Sequence, residues 1–106
     1  MTAVDMEESH MLVKALLLLR DEDEVRRFLE DLLTEQEITE FSKRWKAARM
    51  LSQKLSYVQI ENETGLSSTT IARVSKWLQS GKGGYRLVLN RLHEIETGQR
   101  ADPDPK

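Results

Sequence analysis

Ser68, Thr69, Ala72, Arg73 and Lys76 are residues whose types and spacing suit one definite chemistry, the reading of a DNA groove. Stepping 100° per residue from Ile71, Val74 and Leu78 fall beside it, whereas Thr69, Ala72, Arg73 and Lys76 fall opposite. Such an outer face is small, polar and basic. It lets a helix backbone approach the major groove while Arg or Lys reaches guanine edges or phosphates. Ser56 and Ser67, each placed to cap a helix, add hydroxyls and backbone amides suited to holding phosphates. The competing reading is a helical hairpin of a bundle whose outer face is merely solvated.

The elements that must position these residues run from Leu55 to Leu78. Ser56 is an N-cap with Gln59 three residues on, Gly65 can take the left-handed backbone of a tight turn, and Ser67 caps again. Ile60, Leu66, Ile71 and Val74 are spaced so that two short helices bury one side against each other. The spacing predicts a DNA-binding helix-turn-helix over residues 56–79. Glu61 departs from the pattern, since many such units keep a small residue at that inter-helix contact.

Other chemistries lack their residues. With no cysteine there are no disulfides, thiolate nucleophiles or cysteine metal sites, and a reducing cytoplasm is expected. Consecutive carboxylates from Asp21 to Glu24 read as partners of a helix dipole rather than as a metal site. Ser80-Gly81-Lys82-Gly83-Gly84 reads as a linker, because no strand precedes it and no phosphate-loop spacing is present. His10 and His93 are far apart, without an evident nucleophile, so the chain is not read as an enzyme and no cofactor is expected. The start is acidic and the apolar run Ala15 to Leu19 is far shorter than the roughly 20 residues a bilayer needs, so no membrane partner is expected.

The formal net charge of −2 conceals an asymmetry. Residues 1–42 hold 12 acidic and 4 basic side chains, residues 43–91 hold 2 and 10, and residues 92–106 hold 4 and 2. The basic block contains the whole helix-turn-helix and its flanks: Lys43, Arg44, Lys46, Arg49, Lys54, Arg73, Lys76, Lys82, Arg86 and Arg91. Basic charge coinciding with a DNA-binding motif strengthens the nucleic-acid reading, although part of it can match the acidic first third internally.

At 106 residues the chain is read as one all-α domain over residues 1–96, followed by a disordered tail over 97–106. Met1 to Glu8 is expected to be loose. From Ser9 to Leu19 a helix is apolar nearly all round, which a small monomer can hardly cover, so it is expected to pack against a second copy in a homodimer. A signal-like helix and the buried central helix of a monomer are the alternatives. Asp21 caps a second helix carrying Val25, Phe28, Leu29 and Leu32, and Thr34 with Glu37 starts a longer third one. The stripe of the third helix is Ile38, Phe41, Trp45, Ala48, Leu51 and finally Leu55. Tyr85 opens a last helix with Val88, Leu89, Leu92 and Ile95 on one face, closing the core or the dimer.

Six helices in this order, the fourth and fifth forming the helix-turn-helix, resemble the tryptophan repressor family. The resemblance is clearest from Leu32 to Leu78: LLTEQE is similar to the start of that family's third helix, and Ile60 to Gly65 followed by Thr70-Ile71-Ala72-Arg73 to its DNA-binding unit. It implies an intertwined all-helical homodimer, placing recognition helices in successive major grooves about 34 Å apart over a palindromic operator. It further implies a cytoplasmic, nucleoid-associated bacterial transcription regulator that acts as a repressor.

In that family two arginines sandwich the corepressor's indole ring. The matching residues are Arg44 and Arg73, and Thr34 matches a threonine near the ligand's carboxylate. Val74, however, stands where the family has a glycine against the ligand, and Trp77 where it has a small serine. The expectation is a pocket filled by Trp77 itself, one turn from Arg73 and within cation–π reach of it, with DNA binding independent of L-tryptophan. The alternative is that Trp77 is an ordinary core residue and a different small-molecule effector is sensed. The other functional class is a helical dimeric adaptor binding protein or RNA through the basic face, favoured by the acidic first third and by Glu61 and Glu63 before the turn.

Overall fold

The computed structural model describes residues 6–98, which form six helices and, among them, no strand. These are α1 (Glu7–Leu17), α2 (Glu22–Leu32), α3 (Glu35–Ser52), α4 (Tyr57–Thr64), α5 (Ser68–Ser80) and α6 (Gly84–Thr97). The all-α, six-helix order is therefore the one expected. No helix among the described residues is long and apolar enough to cross a membrane. Of the loose start expected over residues 1–8, residues 1–5 lie outside the described residues while Glu7 and Glu8 are helical; of the tail expected over 97–106, residues 99–106 lie outside them while Thr97 ends α6 and Gly98 caps it. Contacts group the chain into two compact units, Met1–Thr39 and Glu40–Lys106, so α3 contributes to both.

In the first unit α1 begins at Glu7 rather than Ser9, with Glu7 and Glu8 in the first turn where the helix dipole favours negative charge. No residue of α1 is buried, and Leu17 is 78% exposed. The start of α2 uses each of its carboxylates locally. Asp21 accepts from the Glu24 N–H at 2.9 Å and Glu24 from the Arg20 N–H at 2.9 Å, while Glu22 pairs with Arg26 at 2.8 Å and Asp23 with Arg27 at 3.1 Å. Thr34 and Glu37 form a complete capping box, each side chain accepting from the other's backbone N–H, at 3.1 and 2.9 Å.

The second unit holds the core. Ala47, Met50, Ile60, Leu66 and Ile71 form one buried cluster, flanked by Leu51 and Leu55, and Ala48 and Val74 are also fully buried. The apolar face of α3 thus differs from its expected stripe: Ala47 and Met50 are buried, and Phe41 is 48% exposed. The chain leaves α3 through Lys54, whose φ of 64° is left-handed, as the Leu55 N–H reaches back to the Met50 carbonyl at 3.1 Å.

At the other end, Gly81 closes α5, its N–H donating to the Trp77 carbonyl at 2.8 Å. A Cβ at Gly81 would lie 2.5 Å from that same carbonyl oxygen, so only glycine fits there. Tyr85, Leu89 and Leu92 of α6 are partly buried, whereas Val88 and Ile95 of the same expected face remain exposed. Two contacts fix α6 in this unit. The Tyr85 ring stacks on Trp45 with centroids 6.4 Å apart and planes at 18°, and the Arg86 Nε donates to the Leu78 carbonyl at 2.8 Å.

Candidate nucleic-acid interface

The helix-turn-helix is built by short-range hydrogen bonds. Ser56 caps α4, its hydroxyl oxygen accepting from the Gln59 N–H at 3.1 Å while Gln59 Oε1 accepts from the Ser56 N–H at 3.2 Å. Ser67 caps α5, accepting from the Thr70 N–H at 3.2 Å. Between them Gly65 adopts φ 75°, and its N–H donates to the Glu61 carbonyl at 2.8 Å. The turn also depends on Thr64, which the sequence reading passed over. Its buried hydroxyl donates to the Ile60 carbonyl at 2.7 Å and accepts from the Leu66 N–H at 3.1 Å. A threonine directly before a helix-closing glycine was the available signal.

This frame sets the orientation of α5. Ile71 and Val74 are 0% exposed and Leu66 anchors the turn, whereas Ser68, Thr69, Ala72, Arg73 and Lys76 are all exposed. The division between buried and outward faces is the one expected from helical periodicity. Because Ser67 takes the Thr70 amide, the amides of Ser68 and Thr69 are left without a partner among the described residues, pointing out of the N-terminus of α5. The caps therefore leave anion-binding capacity at the end of the helix that would enter a groove.

The basic block separates into engaged and free charges. Lys46 pairs with Glu63 at 3.5 Å, Arg44 with Glu40 at 3.8 Å, and Arg86 is held on the α5 carbonyls. Arg73 and Lys76 make no ion pair with any described residue. Glu63, one of the two acids before the turn, is thereby matched within the protein. None of these three engagements could be read from spacing alone, apart from the i,i+4 pair of Arg44 and Glu40.

Of the residues matched to the family's effector site, Thr34 lies in the first unit and Arg44, Arg73, Val74 and Trp77 in the second. Thr34 is occupied as the cap of α3. Arg44 lies over the Phe41 ring, 5.7 Å from its centroid, and no described cation–π contact joins Arg73 to Trp77. Val74 is fully buried. Trp77 is 43% exposed and borders a cleft of about 640 Å³ lined also by Trp45, Gly81, Lys82, Gly84, Tyr85 and Val88. Neither Arg44 nor Arg73 belongs to that lining.

A family model described as Trp repressor protein matches residues 7–93. The chain is 41% identical over 90 residues to the uncharacterized protein YerC of Bacillus subtilis (strain 168), covering 85% of this chain and 86% of that one. It is similar to the crystal structure of a TrpR-like protein from Eubacterium eligens ATCC 27750, with a TM-score of 0.80 and 38% identity over 85% of this chain and 93% of that one. A crystal structure from Staphylococcus aureus matches with a TM-score of 0.80 and 33% identity, covering 88% of this chain and 96% of the other.

Proposed function

The chain belongs to the Trp repressor family, and from that premise we propose that it is a sequence-specific DNA-binding transcriptional regulator, a repressor that acts as a homodimer on a palindromic operator. The observation that carries this reading is the outward face of α5, where Arg73 and Lys76 are exposed and unpaired among the described residues above a fully buried Ile71 and Val74. Ser56, Ser67 and the amides of Ser68 and Thr69 hold phosphates at the two helix starts, and Thr69, Ala72 and Lys76 face the groove. The uncovered apolar surface of α1 supports the dimer, since such a helix gains free energy in water by being buried.

The regulator works without L-tryptophan. Val74, fully buried, fills the place where the family keeps a glycine against the ligand, whereas Trp77 lines a cleft that includes neither Arg44 nor Arg73 and so does not fill the pocket itself. Calorimetry of L-tryptophan with the wild type and with Trp77→Ser tests this, and micromolar binding to the wild type refutes it. The DNA reading is tested by sequencing genomic fragments retained by the purified protein at about 150 mM salt with no small molecule added, a concentration that weakens purely electrostatic binding. A palindromic site is expected. Retention of RNA in preference to duplex DNA would instead establish the adaptor function.

A further inference from the structure

The cleft beside Trp77 has the features of a ligand site. Its size, about 640 Å³, lies within the usual range for small-molecule pockets of roughly 300–1,000 Å³. Its walls are aromatic: the Trp45 and Tyr85 rings lie nearly parallel with centroids 6.4 Å apart, and Trp77 stands with nearly half its surface open. Gly84 also lines it, and among the described residues nothing lies within 4 Å of a Cβ added there. Among the described residues, Lys82 is the only charged one in the lining, and none of the lining residues is acidic. Flat aromatic walls favour a planar ligand, and a single cation at the rim favours one negative charge.

We propose that the cleft formed by Trp45, Trp77 and Tyr85 binds a planar, polycyclic aromatic monoanion, with the rings against the aromatic walls and the anionic group directed to Lys82. A zwitterion suits it poorly, because no carboxylate in the lining receives an ammonium group. This site is separate from the arginine positions on α3 and α5, neither of which it includes. Its ligand bears on the recognition helix, because Trp77 lies in the last turn of α5 and Gly81 caps it.

The two tryptophans of the chain both line the cleft, so the two indole N–H signals in a ¹H–¹⁵N spectrum report on it alone. The full chain is titrated with 2-naphthoate, with neutral 2-naphthamide and with L-tryptophan, in the absence of DNA. Saturable shifts of both indole signals are expected with 2-naphthoate, with affinities about two- to fivefold weaker for the amide and about tenfold weaker for L-tryptophan. Lys82→Gln should weaken 2-naphthoate about two- to fivefold and leave the amide unchanged, as for an exposed charge pair. Gly84→Leu, which has room for its Cβ, should block both. Three results overturn the proposal: no shift with 2-naphthoate, equal affinity for the amide, or indole signals that respond to protein dilution and not to the probe. The last would mean that a second copy fills the cleft. Since no DNA is present, failure here leaves the proposed DNA binding standing.

Discussion

Replacing Lys76 by alanine should reduce the salt dependence of DNA binding by a calculable amount. Lys76 lies on the exposed face of α5 and has no ion-pair partner among the described residues. Each lysine that neutralises a duplex phosphate contributes about 0.9 to the slope of log K against log salt, so a homodimer that loses two such contacts loses about 1.8. Between about 50 and 200 mM salt, the wild type's advantage over the variant should then shrink about tenfold. The assay is fluorescence anisotropy on a labelled duplex of arbitrary sequence, which needs no operator because non-specific affinity is essentially electrostatic. Lys46→Ala is the internal control, because Lys46 is paired with Glu63 at 3.5 Å and should leave the slope nearly unchanged. A slope unaltered by Lys76→Ala, or an equal fall for both variants, would refute the placement of α5 in the groove. A loss near 0.9 would mean that one protomer alone engages the duplex.

Three further outcomes concern the frame. Thr64→Val keeps the side chain's volume but leaves the Leu66 N–H without its acceptor, and should cost about 1–3 kcal/mol by thermal or urea unfolding at fixed protein concentration. A variant as stable as wild type would show that the hydroxyl contributes nothing to the turn. Gly65→Ala should cost about 1–2 kcal/mol through left-handed backbone strain, since φ is 75° and the only atom near an added Cβ is the Lys43 Nζ at 4.0 Å. An unchanged midpoint would contradict that conformation. Leu17→Lys, on the uncovered face of α1, should raise the dimer dissociation constant by about two to four orders of magnitude in sedimentation equilibrium, given roughly 1.5–3 kcal/mol per buried leucine in each of two protomers. No change in association would exclude α1 from the interface.

The sequence by itself determined what depends on neighbours a few residues away. The caps at Asp21, Thr34, Ser56 and Ser67 were legible because each bonds within three residues of itself. The left-handed turn at Gly65 and the two faces of α5 followed from backbone freedom and helical period in the same way. Other features needed the tertiary structure. Spacing along α3 placed both Phe41 and Ala48 in the buried stripe, but which arc is covered depends on what packs against it, and the burial falls on Ala47 and Met50 as well as Ala48 and not on Phe41. The division of the basic block into charges held by Glu63 or the α5 carbonyls and charges left free on α5 depends likewise on partners distant in the chain. The aromatic cleft is the furthest from the sequence, since Trp45, Trp77 and Tyr85 sit on three helices and are neighbours only because Gly81 turns the chain so tightly that α6 returns its ring to α3.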